Sequence, residues 1–115
     1  MTAHRRPPTA ASLRGSAPVF DALGDPTRLR IVSRLCNHGP MSVSTITRTA
    51  GVTRQAVAKH LRVLEDAGLV RSVRRGRSRI CQLESPTLEL ARRDLASISD
   101  QWDLTLTRLR KFVEE

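Results

Sequence analysis

Gly51-Val52-Thr53-Arg54-Gln55-Ala56-Val57-Ala58-Lys59-His60-Leu61-Arg62-Val63-Leu64-Glu65-Asp66-Ala67-Gly68 is the stretch on which the fold turns. Val57, Leu61 and Leu64 recur at spacings of four and three, which puts them on one face of a helix. Thr53 is a natural N-cap, because its hydroxyl can accept a backbone N–H that the first turn leaves unpaired, and Gly68 closes the helix. Immediately upstream, Ser42 can cap a shorter helix carrying Val43, Ile46 and Ala50, and Gly51 supplies the turn between the two. Two helices joined by a tight glycine turn form a helix-turn-helix.

Downstream of Gly68 the period changes from helical to alternating. Residues 69–73 and 79–83 read as two strands, and 74–78 reads as an arginine-rich hairpin tip built around Gly76. A strand hairpin that directly follows a reading helix makes a wing. Upstream, Asp25-Pro26 starts a helix whose inward face holds Leu29, Val32, Leu35 and Cys36, widened by Ile31, and Gly39-Pro40 stops it. Before that lies only a short apolar turn over residues 19–23. Residues 1–17 are rich in Pro, Ala, Ser, Thr and Arg, cannot pack a core, and are expected to form a flexible basic tail ahead of a domain spanning 18–115.

Ser85-Pro86 opens a last helix that runs to the C-terminus. Leu88, Leu95, Trp102 and Leu109 recur every seven residues, with Ala91, Ile98, Thr105 and Phe112 between them and Leu106 and Val113 widening the seam. A stripe sustained over almost four heptads suits a partner helix. A helix of roughly 28 residues is about 42 Å long, more than so small a domain can cover by itself, although packing on its own domain is the alternative. Trp102 reads as an anchor of that seam, with a ligand pocket between two such helices as the other option. The fold class is therefore mainly α with a small β-hairpin: a winged helix-turn-helix with a long C-terminal dimerisation helix.

Charge points to the partner. The chain of 115 residues carries a formal net charge of +9, which favours a polyanion because Lys and Arg displace condensed counterions from phosphates. The excess is concentrated: residues 54–79 hold eight Lys or Arg against Glu65 and Asp66, whereas residues 84–115 hold seven acidic groups against five basic. Phe20, Trp102 and Phe112 are the whole aromatic set, too few for the stacking platforms of single-strand readers, so duplex DNA is favoured. With Val57, Leu61 and Leu64 inward, the second helix presents Arg54, Gln55, Ala58, Lys59 and Arg62. Arg bridges guanine O6 and N7, Gln bridges adenine N6 and N7, and an Ala methyl meets the thymine methyl. Lys59 and Arg62, further along, suit phosphate, as do Ser42 and Thr53 at helix N-termini. His60, beside this face, is either a phosphate contact or a satisfied structural histidine. In the wing, Arg74, Arg75, Arg77 and Arg79, with Arg71 at its base, suit either a narrow minor groove or phosphates.

Other classes find little support. No glycine loop cradles a phosphate and no nucleophile stands with a base and an orienting group, so the chain does not read as an enzyme. No His/Cys pair has zinc-site spacing, and no cofactor or metal is called for. Cys36 and Cys81 read as buried free thiols, with redox sensing as the alternative. No apolar run reaches the roughly 18 residues a membrane span needs, and Arg5-Arg6 is not followed by a hydrophobic stretch, so a signal peptide is not expected and a cytoplasmic protein is.

Three motifs then carry a resemblance over roughly residues 18–113. Ala22-Leu23-Gly24-Asp25-Pro26-Thr27-Arg28-Leu29-Arg30-Ile31, the stretch from Gly51 to Leu64, and Leu64-Glu65-Asp66-Ala67-Gly68-Leu69-Val70 with its Arg-Gly wing together resemble the ArsR/SmtB family of winged-helix repressors. The resemblance implies a homodimer built on the first and last helices. Phe20 would contribute from the first, and Leu88, Leu95, Ile98, Trp102, Leu106, Leu109 and Phe112 from the last. It also implies operator contacts at Thr53, Arg54, Gln55, Ala58 and Lys59, and repression that in many members is relieved by an effector. The chain departs from the metal sensors: residues 41–50 hold no cysteine, and the last helix has Asp94, Asp100 and Asp103 but no histidine. Carboxylates alone are poor selective ligands for transition metals, so the resemblance is to a subgroup without the known metal sites. The expectation is a homodimeric repressor on a pseudo-palindromic operator, with a non-specific architectural DNA-binding protein as the alternative.

Overall fold

The computed structural model describes residues 10–114. Eight elements follow in the order α1 (Ala10–Leu23), α2 (Pro26–His38), β1 (Met41–Ser42), α3 (Val43–Ala50), α4 (Arg54–Asp66), β2 (Val70–Arg75), β3 (Ser78–Leu83) and α5 (Ser85–Glu114). The helix-turn-helix is α3–α4. Ser42 caps α3 and Thr53 caps α4, each side chain accepting a backbone N–H inside its first turn. Gly51 between them has φ of 70° and ψ of 15°, a left-handed conformation that a Cβ disfavours.

The wing is a hairpin in which Arg75 pairs with Ser78, leaving Gly76-Arg77 as a two-residue loop. Gly76 has φ of 60°, the pattern of a II′ turn, whose twist matches that of the flanking strands. The sheet has a third strand that the sequence reading did not contain: Met41 and Ser42 pair antiparallel with Cys81 and Ile80, giving the order β1-β3-β2. Two residues are too few to show an alternating period, so β1 exists only because β3 offers it an edge.

One sequence boundary moves, and one helix face is narrower than expected. The first helix begins at Ala10, so residues 10–17, read as flexible tail, are helical, while residues 1–9 lie outside the described residues. Pro18 lies inside α1. The stretch read as a short apolar turn over residues 19–23 is the end of this helix, because tertiary packing of Ser16, Val19 and Ala22 overrides the local propensity of Pro and its Ala-, Ser- and Gly-rich neighbours. In α2, Asp25 caps the helix as expected, accepting from the N–H groups of Thr27 at 2.9 Å and Arg28 at 3.0 Å. Of the expected inward face, Ile31, Val32 and Leu35 are buried. Leu29 is 52% exposed and Cys36 is exposed, contrary to the expected inward face. The face is narrower than the period allows, and the orientation of α2 against α3 and α4 leaves Leu29 and Cys36 outside it.

All elements around α4 share one core. Val57, Leu64, Leu69 and Cys81 are the largest fully buried side chains, joined by Leu61, Ile46, Val70 and Met41. Each fully buried Val or Leu contributes roughly 1.5–3 kcal/mol relative to exposure, so the reading helix and the base of the wing are held as one body. Helix α5 differs. Ala91 is its one buried residue and Leu88 packs partly on the core. From residue 99 to residue 114 every residue is exposed.

Candidate nucleic-acid interface

The face of α4 opposite Val57, Leu61 and Leu64 is open. Arg54, Gln55, Ala58, Lys59 and Arg62 are all exposed, as is the N-cap Thr53, whose Oγ1 accepts from the Ala56 N–H at 3.1 Å and keeps its own proton for an outside acceptor. The helix thus presents its N-terminal end, with positive dipole and unpaired N–H groups, together with two side chains able to make bidentate base contacts.

The wing arginines divide between two faces. Arg74 pairs directly with Arg79 across the hairpin, a like-charge pair that is unfavourable in isolation. Both turn toward the helices, where with Arg77 and Arg54 they line one open cleft of about 220 Å³, completed by Val43, Ser44 and Ser78. Four guanidinium groups and no carboxylate line it, so field lines from helix and wing converge in one concavity, an arrangement an anion relieves. Arg71 and Arg75 lie on the opposite face with Pro40, Val73, Ile80 and Gln82. There Arg71 pairs with Glu84 at 3.1 Å, tying the base of the wing to the start of α5. Pairing alternation assigns these faces, but the five arginines of the sequence read as one cluster until the register is known.

Two other candidates sit differently from the rest. Ser42 is half-buried and its hydroxyl is engaged: it accepts from the Thr45 N–H at 3.1 Å and shares a hydrogen bond with Thr45 Oγ1 at 2.9 Å. The exposed Ser44, two residues further on, is the one that reaches the cationic cleft. Sequence reasoning passed over it because it sought the cap rather than the first turn behind it. His60 is half-buried and turns back to α2, with Nδ1 at 3.8 Å from Asp25 Oδ2 and 3.5 Å from Arg28 Nη1. The ring thus turns Nδ1 toward α2 rather than toward the open face of α4. The signal was present: His60 stands three residues after Val57, on the edge of the inward stripe. Its neighbourhood also holds down α1, because Arg28 Nε donates to the Ala22 carbonyl at 2.6 Å. The Asp25 carboxyl is held below the ordinary carboxylate range, first by the Arg28 backbone N–H and also by the nearby His60 and Arg28 charges.

Cys81 is fully buried, as read, and burial pushes its thiol up. Cys36 corrects the expectation of a buried thiol. Among the described residues no group of three or more His, Cys, Asp or Glu is placed to hold a metal ion, and no helix is long and apolar enough to cross a membrane.

Most of the seam residues of α5 are exposed. Leu95, Trp102, Leu106, Leu109 and Phe112 are 52, 67, 56, 55 and 78% exposed, Ile98 is half-buried, and Leu88 and Phe20 pack partly against the core. An aligned apolar surface of this extent is the mark of an interaction site.

Comparison with known proteins agrees with this architecture. The family described as a helix-turn-helix domain matches residues 23–73. The HTH-type transcriptional regulator Rv2034 of Mycobacterium tuberculosis is 36% identical over 104 residues, covering 90% of this chain and 94% of its own. An ArsR-like transcriptional regulator from Rhodococcus sp. RHA1 superposes with a TM-score of 0.71 at 34% identity, covering 90% of this chain and 96% of its own. The solution structure of a homodimeric winged helix-turn-helix DNA-binding domain from Mycobacterium bovis, described as a possible ArsR-family regulator, has a TM-score of 0.63 at 25% identity, covering 87% and 91%.

Proposed function

The chain belongs to the ArsR family of winged-helix transcriptional regulators, and from that premise we propose that it is a homodimeric repressor that reads a pseudo-palindromic operator and acts in the cytoplasm. Its work is binding, not catalysis. The observation that carries the reading is the shared cationic cleft: Arg54 of α4 and Arg74, Arg77 and Arg79 of the wing line one concavity beside an open reading face. Arg54 and Gln55 take base edges in the major groove, Ala58 lies against a thymine methyl, and Lys59, Arg62, Thr53 and Ser44 take phosphates. Arg74, Arg77 and Arg79 hold the flanking backbone or the adjacent minor groove. Arg75, on the far face of the wing, has the smaller part, and His60 supports the helix from behind.

Two copies pair through α5 and α1. The support is the exposed stripe from Leu95 to Phe112 and the homodimeric state stated for the M. bovis domain. Burying such side chains contributes about 1.5–3 kcal/mol each, and two-fold pairing places the two reading helices about one helical turn apart on DNA. Among the described residues no group of three or more His, Cys, Asp or Glu gathers as a metal site, and the reading assigns no effector.

Selection of bound sequences from a random duplex pool, with affinity followed against salt, tests this. An enriched inverted repeat is the expected result. Binding with a steep salt dependence but no enriched sequence would instead make the chain an architectural DNA-binding protein.

A further inference from the structure

The reading helix and the wing must meet one piece of DNA together, so the angle between them matters as much as their side chains. Apart from the apolar core, a polar chain crosses the joint. Ser72 of β2 lies on the hairpin face that turns toward α4, two residues from Arg74 and directly opposite Cys81. Its Oγ donates to Oε1 of Glu65, in the last turn of α4, and lies 3.4 Å from Cys81 Sγ. A carboxylate only accepts and a serine has one proton, so the Ser72 proton goes to Glu65 and its lone pair accepts from the Cys81 thiol. The thiol is fully buried, and burial keeps it protonated and able to donate. The chain Cys81–Ser72–Glu65 therefore has one direction and joins β3, β2 and α4.

Glu65 makes the arrangement notable. It is one of only two acids among the ten charged residues from Arg54 to Arg79, and by charge alone a carboxylate there opposes a polyanion. Its hydrogen bond accounts for it. We propose that Glu65 and Ser72 are positioning residues that set the wing against the reading helix, so that Arg74, Arg77 and Arg79 engage the same DNA that α4 reads. The proposal rests on the DNA-binding reading above and adds residues that touch no DNA themselves.

The test compares Ser72→Ala, Ser72→Thr, Glu65→Ala and the wing variant Arg74→Ala/Arg77→Ala in the full chain, on the selected operator, by affinity against salt and by hydroxyl-radical footprint. Ser72→Ala is expected to weaken binding about three- to thirtyfold, within the coupling range of contacting residues. It should also lower the salt slope by about one to two units and clear the footprint at the outer flanks. Ser72→Thr restores the hydroxyl and all three readouts. Glu65→Ala weakens binding although it removes a negative charge, the opposite of what charge alone dictates. In the wing-variant background Ser72→Ala has no further effect. The proposal is overturned if Ser72→Ala and Glu65→Ala keep the wild-type slope and flanking footprint while the wing variant loses them, or if Ser72→Ala costs as much without the wing arginines as with them. If the wing variant itself changes neither slope nor footprint, the wing is not a DNA contact, and the DNA-binding reading fails there together with the positioning role.

Discussion

Helices α4 and α5 are both amphipathic, yet they stand in opposite relation to solvent. The apolar stripe of α4, Val57, Leu61 and Leu64, is 0, 5 and 0% exposed, and its polar face is free. On the distal half of α5 it is the apolar stripe that is free, with Trp102 at 67% and Phe112 at 78%. The same periodicity thus serves two ends. In α4 the hydrophobic face is consumed by the protein's own core, so what remains to act on a partner is charge and hydrogen bonding. In α5 the core is too short to cover the helix, so what remains is the hydrophobic face itself. A polar free face suits a polyanion, and an apolar one suits another protein surface.

Substitutions that treat the two stripes alike should separate them. The largest effect is expected from Leu64→Ala, which opens a cavity under the reading helix and costs about 2–5 kcal/mol of folding stability by denaturant titration. A cost below 1 kcal/mol would mean that α4 is not anchored as described. Trp102→Asp removes an exposed anchor of the other stripe. It should weaken self-association by about 2–4 kcal/mol, the range of an interface hot spot, and leave the fold intact by circular dichroism. An undiminished dimer in light scattering would show that the stripe of α5 is not the seam.

The polar face of α4 answers next. Arg54→Ala should cost about 1–3 kcal/mol of operator affinity and relax base preference at one position, with stability unchanged, whereas unaltered affinity and preference would move the reading face elsewhere. The smallest effect is the α2 cap behind that helix. Asp25→Ala should lower stability modestly at neutral pH, as removal of an N-cap does. Because the Asp25 carboxyl is held below its usual range, its contribution is fully present above the ordinary carboxylate value and is lost as pH falls through the lower folded value. The gap between wild type and variant should therefore close in acid, and a gap that stays constant with pH would mean the carboxylate's charge contributes nothing there.

Local rules carried much of this. The spacing of Val57, Leu61 and Leu64, the caps at Asp25, Ser42 and Thr53, and the Gly76 hairpin each depend on residues within a turn or two of one another, so they are legible in one dimension. What was not legible depends on distant neighbours. The sequence offers α2 a wide inward face, and packing against α3 and α4 buried Ile31, Val32 and Leu35 and left Leu29 and Cys36 outside it. Strand β1 required an edge some forty residues away, and Ser16 and Val19 in α1 required α5 and the core. Strand alternation alone divides the wing arginines, but only the register shows that Arg74, Arg77 and Arg79 join Arg54 while Arg71 joins Glu84.

By itself, then, the sequence determined the order and type of the elements from α2 onward except β1, the helix-turn-helix with its wing, the location of excess positive charge and the apolar seam of α5, because period, capping and composition are properties of short segments. Tertiary structure alone decided how much of the inward face of α2 is buried, that a third strand closes the sheet, that His60 faces Asp25 rather than outward, and that a hydrogen-bonded chain from Cys81 through Ser72 to Glu65 joins wing to reading helix. Each of these is a choice between locally equivalent alternatives, and only contacts between segments remote in sequence distinguish them energetically.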